Sequence, residues 1–326
     1  MFDIKKQISV APMMEWTDKH CRYFHRLLSP HALLYTEMVT TGALLHGDKE
    51  RFLAYDNFEQ PLVLQLGGSD PLDMAKCAQL AEQAGYQEVN INVGCPSDRV
   101  QNGRIGACLM AEPELVARCV SQMREIVEIP ITVKTRIGID ESDSFDFLLN
   151  FVKTVADAGC DTLIIHARKA ILSGLSPKEN RTIPPLNYDR AYQLKKECPQ
   201  LSIVINGGVK TVDEVQQHWQ QVDGVMIGRE AYHNPFFLAD IEHQLFQQVL
   251  PDRVDILNQF IPYVEKQLCS GSSLQSMTRH ILGLFAGQPG GKHWRRYLSE
   301  NARQKNAGPE VLLAALDEMA PFSAIN

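Results

Sequence analysis

The chain predicts an α/β fold: a (β/α)8 TIM barrel over residues 1–246, then a smaller all-helical domain over residues 247–326. Three observations predict it. Eight short apolar runs, rich in Val, Ile and Leu, recur up to residue 228. Segments of helical periodicity separate them. Beyond Gln247 the strand-like runs stop.

The runs fall at 8–14, 33–39, 61–67, 88–94, 130–137, 162–167, 202–206 and 224–228. Most are continuous rather than alternating, which marks strands covered on both faces, as in parallel sheets. Between them, 70–84, 113–127, 145–158, 189–198 and 212–221 carry the three-to-four spacing of amphipathic helices. Thr17-Asp18, Ser69-Asp70 and Thr211 ahead of Asp213 and Glu214 are N-terminal capping sequences. Gly85 and Gly159 each follow a helix and suit a left-handed cap. A doubly wound sheet is the rival. Eight similar strands with no evident reversal, in about 250 residues, favour the barrel. Past the barrel, 254–268, 274–285, 294–305 and 309–319 read as helices, punctuated by Gly271, 287–291 and Gly308-Pro309.

A net charge of −7 argues weakly against a nucleic-acid partner, but the average hides an asymmetry. Residues 168–196 hold seven Lys/Arg against two Asp/Glu, and residues 278–306 hold six against one. Two cationic patches on an acidic body can each meet a polyanion. No apolar run approaches a membrane span, and the first residues carry no secretory pattern. A cytoplasmic monomer with free thiols is therefore expected, with no membrane and no obligate protein partner. Cys21, Cys77, Cys119 and Cys160 fall in helix-like segments and read as small core hydrophobes. No metal is expected: Cys95 and Cys108 lack companions at zinc-ligand spacing, and Cys108 reads as a packing group at a helix start.

A barrel of this kind builds its active site from the C-terminal ends of its strands. Asn90-Ile91-Asn92-Val93-Gly94-Cys95-Pro96-Ser97 places a thiol there, because proline cannot extend a central strand. Cys95 is thus a candidate acid or nucleophile. Lys134 and His166 end neighbouring strands and point into the mouth if barrel alternation holds. A lysine there needs an anionic partner; the pyrimidine edge of a reduced flavin is one, and Gln65 could bond the same ring. Asn206-Gly207-Gly208 and Gly228-Arg229, after the seventh and eighth strands, have the form of a phosphate cup, since glycines let backbone amides approach closely.

Taken together, these segments resemble the tRNA-dihydrouridine synthases. Ala11-Pro12-Met13, Gln65-Leu66-Gly67-Gly68, residues 90–97, Lys134-Thr135-Arg136-Ile137-Gly138, Asn206-Gly207-Gly208 and Gly228-Arg229 match in order, over essentially the whole chain. His166-Ala167-Arg168-Lys169-Ala170 and Leu175-Ser176-Pro177-Lys178-Glu179-Asn180-Arg181 look like the A-type subgroup, which acts on D-loop uridines 20 and 20a. The resemblance implies an FMN- and NADPH-dependent oxidoreductase. Flavin N5 would give hydride to C6 of uracil, and Cys95 would give a proton to C5. A free thiol, with an ordinary pKa of about 8.5, holds its proton at neutral pH, as a general acid must. By the same analogy Lys134, His166 and Gln65 hold the flavin ring, with Ala11, Pro12 and Met13 backing it. Asn206, Gly207, Gly208, Gly228 and Arg229 hold its phosphate. Asn92 meets the substrate base or ribose, and Lys178, Arg181, Arg295 and Arg296 contact tRNA. Trp294 and Tyr297 interleave with the last pair and read first as helix packing.

Two other readings stay open at this point. A small-molecule flavin dehydrogenase of the dihydropyrimidine or dihydroorotate kind also uses an FMN barrel and a cysteine, but has no use for a basic helical tail. A tRNA-binding chaperone with a vestigial barrel would carry no flavin.

Overall fold

Continuous apolar runs need cover on both faces, and the computed structural model, which describes residues 6–97 and 103–323, gives it to them. Among the described residues, eight parallel strands form one sheet: β1 (Gln7–Val10), β2 (Leu34–Thr40), β3 (Leu62–Gly67), β4 (Glu88–Val93), β5 (Ile131–Arg136), β6 (Thr162–His166), β7 (Ser202–Asn206) and β8 (Gly224–Ile227). Their order is β1-β8-β7-β6-β5-β4-β3-β2. The ends meet where Val10 N–H donates to Leu33 O at 3.0 Å and Leu33 N–H donates to Ile8 O at 2.9 Å. This closes the sheet into the (β/α)8 barrel. All eight expected strands are present. β1 stops at Val10 rather than running to Met14, because Pro12 brings no N–H to the ladder.

The expected caps form as well. Asp70 accepts from Asp73 N–H at the head of the Pro71–Gln83 helix. Thr211 and Glu214 make a reciprocal capping box at the head of the Val212–Trp219 helix. Gly85 and Gly159 lie at φ +90° and +101°. Cys160 falls just beyond the Phe145–Asp157 helix rather than within it, but is buried as expected.

The inside of the barrel is divided. Ala11, Tyr35, Val63, Ile164, Val204 and Met226 form an apolar cluster on which Met13 packs. The neighbouring interior positions of β3, β4 and β5 are polar, and hydrogen bonds link them across the strands.

Against the boundary expected at residue 246, the described residues fall into two compact units. The chain divides into one unit of residues 1–14, 33–55 and 60–228, and a second of residues 15–32, 56–59 and 229–326. The second unit recruits the Lys19–Leu28 helix for physical reasons. Asp18 caps that helix by accepting from His20 and Cys21 N–H, and its other oxygen meets Arg279 at 2.6 Å. Tyr23 stacks on Tyr263 at 3.8 Å and Phe24 meets Phe260 edge-on at 5.4 Å. Arg22 pairs with buried Glu59 at 2.6 Å. Elsewhere in this unit the helix expected over 274–285 is only Leu274–Thr278. A side chain at Gly283 would meet His233 O at 2.2 Å, so the chain turns there against the neighbouring backbone. No helix among the described residues is long and apolar enough to cross a membrane.

Candidate active site

Parallel register carries the polar strand ends to one end of the barrel. Asn92 lies beside Lys134, Arg136 beside His166, and His166 beside Asn206. Cys95 follows β4 and is held from both sides: its N–H donates to Asn92 Oδ1 at 3.0 Å, and its carbonyl accepts from Ala107 N–H at 2.9 Å. Asn92 Oδ1 also accepts from Gly94 N–H at 3.1 Å. The thiol remains partly exposed.

Lys134 Nζ donates to Asn206 Oδ1 at 3.0 Å, and Asn206 Nδ2 donates to Met226 O at 2.8 Å, which turns the amide oxygen toward the lysine. Burial is the main cause that brings the Lys134 ammonium down to about 7; the Arg136 charge adds to it and Cys95 opposes it. Arg136 is buried, and burial lowers it to about 10. Its Nε donates to Gly94 O at 2.9 Å, while Nη1 donates to Lys169 O at 3.1 Å and Asn180 O at 3.0 Å. Arg136 thereby ties the Cys95 turn to the segment after β6. That segment is knit around buried Asn180, which accepts from Ile171 N–H at 2.8 Å and donates to Ile171 O at 2.9 Å.

The expected phosphate cup has the geometry of a close approach. Gly207 and Gly208 lie at φ +120° and +79°. A Cβ on Gly207 would sit 3.1 Å from His166 Cδ2, and one on Gly208 would sit 2.6 Å from Leu186 Cδ1. The capped N-terminus of the Val212–Trp219 helix follows and adds partial positive charge. At Gly228 a Cβ would meet only Ala11 Cβ, at 3.8 Å, so space is open there. Ala11 is buried and donates its N–H to Ile227 O at 2.8 Å; Pro12 and Met13 are partly buried.

The expected residues do not all behave alike. Gln65 is fully buried and spends its amide inside the barrel: Nε2 donates to Asn90 Oδ1 at 2.8 Å and Oε1 accepts from Asn92 Nδ2 at 2.9 Å. Arg229 is exposed and opens the second unit. Lys178 and Arg181 are exposed at a one-turn 3₁₀ segment around Asn180. Arg295 and Arg296 are exposed on the Gly291–Asn301 helix, where Arg296 pairs with Glu300 at 3.3 Å. Trp294 is wholly buried and donates Nε1–H to Ile281 O at 3.1 Å, so it packs its helix. Arg136, Asn180 and Asn90 stand in the motifs quoted from the sequence but carry no expected role there, and Glu88 and Thr132 are not among those residues. A signal for Glu88 and Asn90 existed: with Asn92 they alternate through an otherwise apolar strand and therefore share its inner face.

A cation, a thiol and glycine-lined amides at the C-terminal mouth of a closed parallel barrel define a barrel enzyme that can hold an anionic group and deliver a proton. The chain belongs to the dihydrouridine synthase family, which it matches over residues 9–320. A tRNA-dihydrouridine(20/20a) synthase of Vibrio cholerae is 59% identical over 313 residues, 95% of either chain. The protein of that name from Vibrio vulnificus is 60% identical over 95% of this chain and 96% of its own. The one from Escherichia coli K12 is 58% identical over 96% of this chain and 92% of its own.

Proposed function

We propose that this protein reduces the C5=C6 bond of uridines 20 and 20a in tRNA to dihydrouridine, using FMN and NADPH. The observation that carries the reading is Cys95, held just beyond β4 by the amide oxygen of Asn92, the residue that lies opposite Lys134 on the adjacent strand. Full-length similarity to relatives bearing that name supports the choice of substrate.

The residues present fit a flavin mononucleotide. Lys134 bonds a neutral amide rather than a carboxylate, which suits an anionic ring edge. The positive-φ glycines after β7 and the open space at Gly228 suit a phosphate. When bound, FMN reduced by NADPH supplies hydride to C6 of the uracil. Lys134 and His166 hold the ring, Met13 backs it, and Gly207, Gly208 and Gly228 receive the phosphate. Asn92 meets the base and Cys95 gives its proton to C5. The target nucleotide must leave the base stack, at a cost of a few kcal/mol. Cations at Lys178, Arg181, Arg295 and Arg296 offset that cost by binding phosphates.

The test is incubation of the purified protein with unmodified tRNA, FMN and NADPH, followed by mapping of dihydrouridine. Product at positions 20 and 20a is expected. Turnover of a free pyrimidine with untouched tRNA would make it a small-molecule dehydrogenase, and a protein that takes up no flavin would be no reductase at all.

A further inference from the structure

Beneath the mouth, five hydrogen bonds run through the barrel in one direction. Cys95 N–H donates to Asn92 Oδ1 at 3.0 Å. Asn92 Nδ2 donates to Gln65 Oε1 at 2.9 Å, Gln65 Nε2 to Asn90 Oδ1 at 2.8 Å, and Asn90 Nδ2 to Thr132 Oγ1 at 2.9 Å. Thr132 Oγ1 donates to Glu88 Oε1 at 2.5 Å, and Tyr35 OH reaches the same oxygen at 3.3 Å. Three side-chain amides thus stand in series, each able to turn over. The ends remove that freedom. A backbone N–H can only donate, and an ionised carboxylate, the form Glu88 takes above about pH 7, can only accept. Between a fixed donor at the top and a fixed acceptor at the bottom, one orientation of all three amides satisfies every link.

We propose that Glu88 and Thr132 are positioning residues for base reduction: by anchoring this chain they set the orientation of Gln65 and Asn92, and through Asn92 the placement of Cys95. The inference rests on the role proposed for Cys95 above. It extends that role to two residues at the base of β4 and β5, well below the mouth. Burial raises the Glu88 carboxyl to about 7, against the bonds from Thr132 and Tyr35 that favour its ionised form. The groups facing it are Tyr35 from β2 and Thr132 from β5, and its own charge helps to raise the Cys160 thiol ahead of β6. No basic side chain faces it among these, so the chain of donors is what steadies its charge.

Thr132→Val keeps the shape of the side chain and removes the hydroxyl that accepts from Asn90 and donates to Glu88, breaking two adjacent links, while Thr132→Ser restores the hydroxyl. Two readouts test the proposal. In the protein alone, hydrogen exchange at the Gly94 and Cys95 amides should quicken roughly tenfold in Thr132→Val and return in Thr132→Ser. With tRNA, base reduction should slow roughly tenfold in Thr132→Val, yet the same substitution in an Asn92→Ala background should add less than about twofold, because the link it acts through is already gone. Glu88→Met breaks the last link from the other side and should reproduce both effects, which keeps the test available if Thr132→Val does not fold. Unchanged exchange at Gly94 and Cys95, or fully additive losses with Asn92→Ala, overturns the proposal. Because exchange is read without tRNA, a wild-type protein that forms no dihydrouridine would defeat the proposed function and leave the exchange result to decide the chain.

Discussion

Lys134→Met should stabilise the flavin-free protein at pH 6 and destabilise it at pH 10. Lys134 stands at about 7 instead of its ordinary 10.5, chiefly through burial. At 1.36 kcal/mol per pH unit, keeping it charged below pH 7 costs about 5 kcal/mol. The side chain is only partly covered, and solvent at the mouth screens about half of that cost, leaving about 2 kcal/mol. Methionine removes the cost but strips Asn206 Oδ1 of its donor, for about 1 kcal/mol. The net gain at pH 6 is therefore about 1 kcal/mol. The sign then changes with pH. Between about 7 and 10.5 the unfolded chain binds the extra proton, so wild-type stability rises with pH and is relieved of most of the cost by pH 10. There the lost hydrogen bond dominates, and the variant should be the weaker by about 0.5 kcal/mol. Urea unfolding of both proteins at the two pH values measures the difference. A variant less stable at pH 6, or a difference that ignores pH, would refute the view of Lys134 as a charge waiting for an anionic partner. Adding FMN should reverse the pH 6 ranking, since wild type then gains an ion pair that methionine cannot make.

Three further predictions follow from the same geometry. Cys95→Ala should retain flavin and tRNA binding and change stability by less than about 1 kcal/mol, because the thiol is partly exposed, while base reduction is lost; near-normal single-turnover reduction would remove Cys95 from its role. Gly207→Ala should cost about 1–3 kcal/mol in thermal or urea unfolding, since φ +120° is strained for alanine and its methyl meets His166; flavin titration should show weaker loading as well. Charge reversal at Arg295 and Arg296 should weaken tRNA binding and flatten its salt dependence, with a slope smaller by about 1–2 in log–log form. An unchanged slope would place the RNA-binding surface elsewhere.

Much of this protein was legible in the order of its residues. The barrel followed from eight apolar runs, most of them continuous, because strands covered on both faces need little alternation. Proline after Cys95 and glycines after β7 marked the mouth, because each residue type permits only a few backbone conformations. Those signals are local, and local chemistry suffices to read them. Tertiary structure alone decided three other matters. It gave residues 15–32 to the same compact unit as the helical tail, because Tyr23, Phe24 and Asp18 find their partners more than two hundred residues away. It made Arg136 the tie between two segments, because its three carbonyl partners come from separate stretches of chain. It also made Gln65 the middle link of a chain, because strand pairing sets Asn90 beside it, a neighbour that only register supplies.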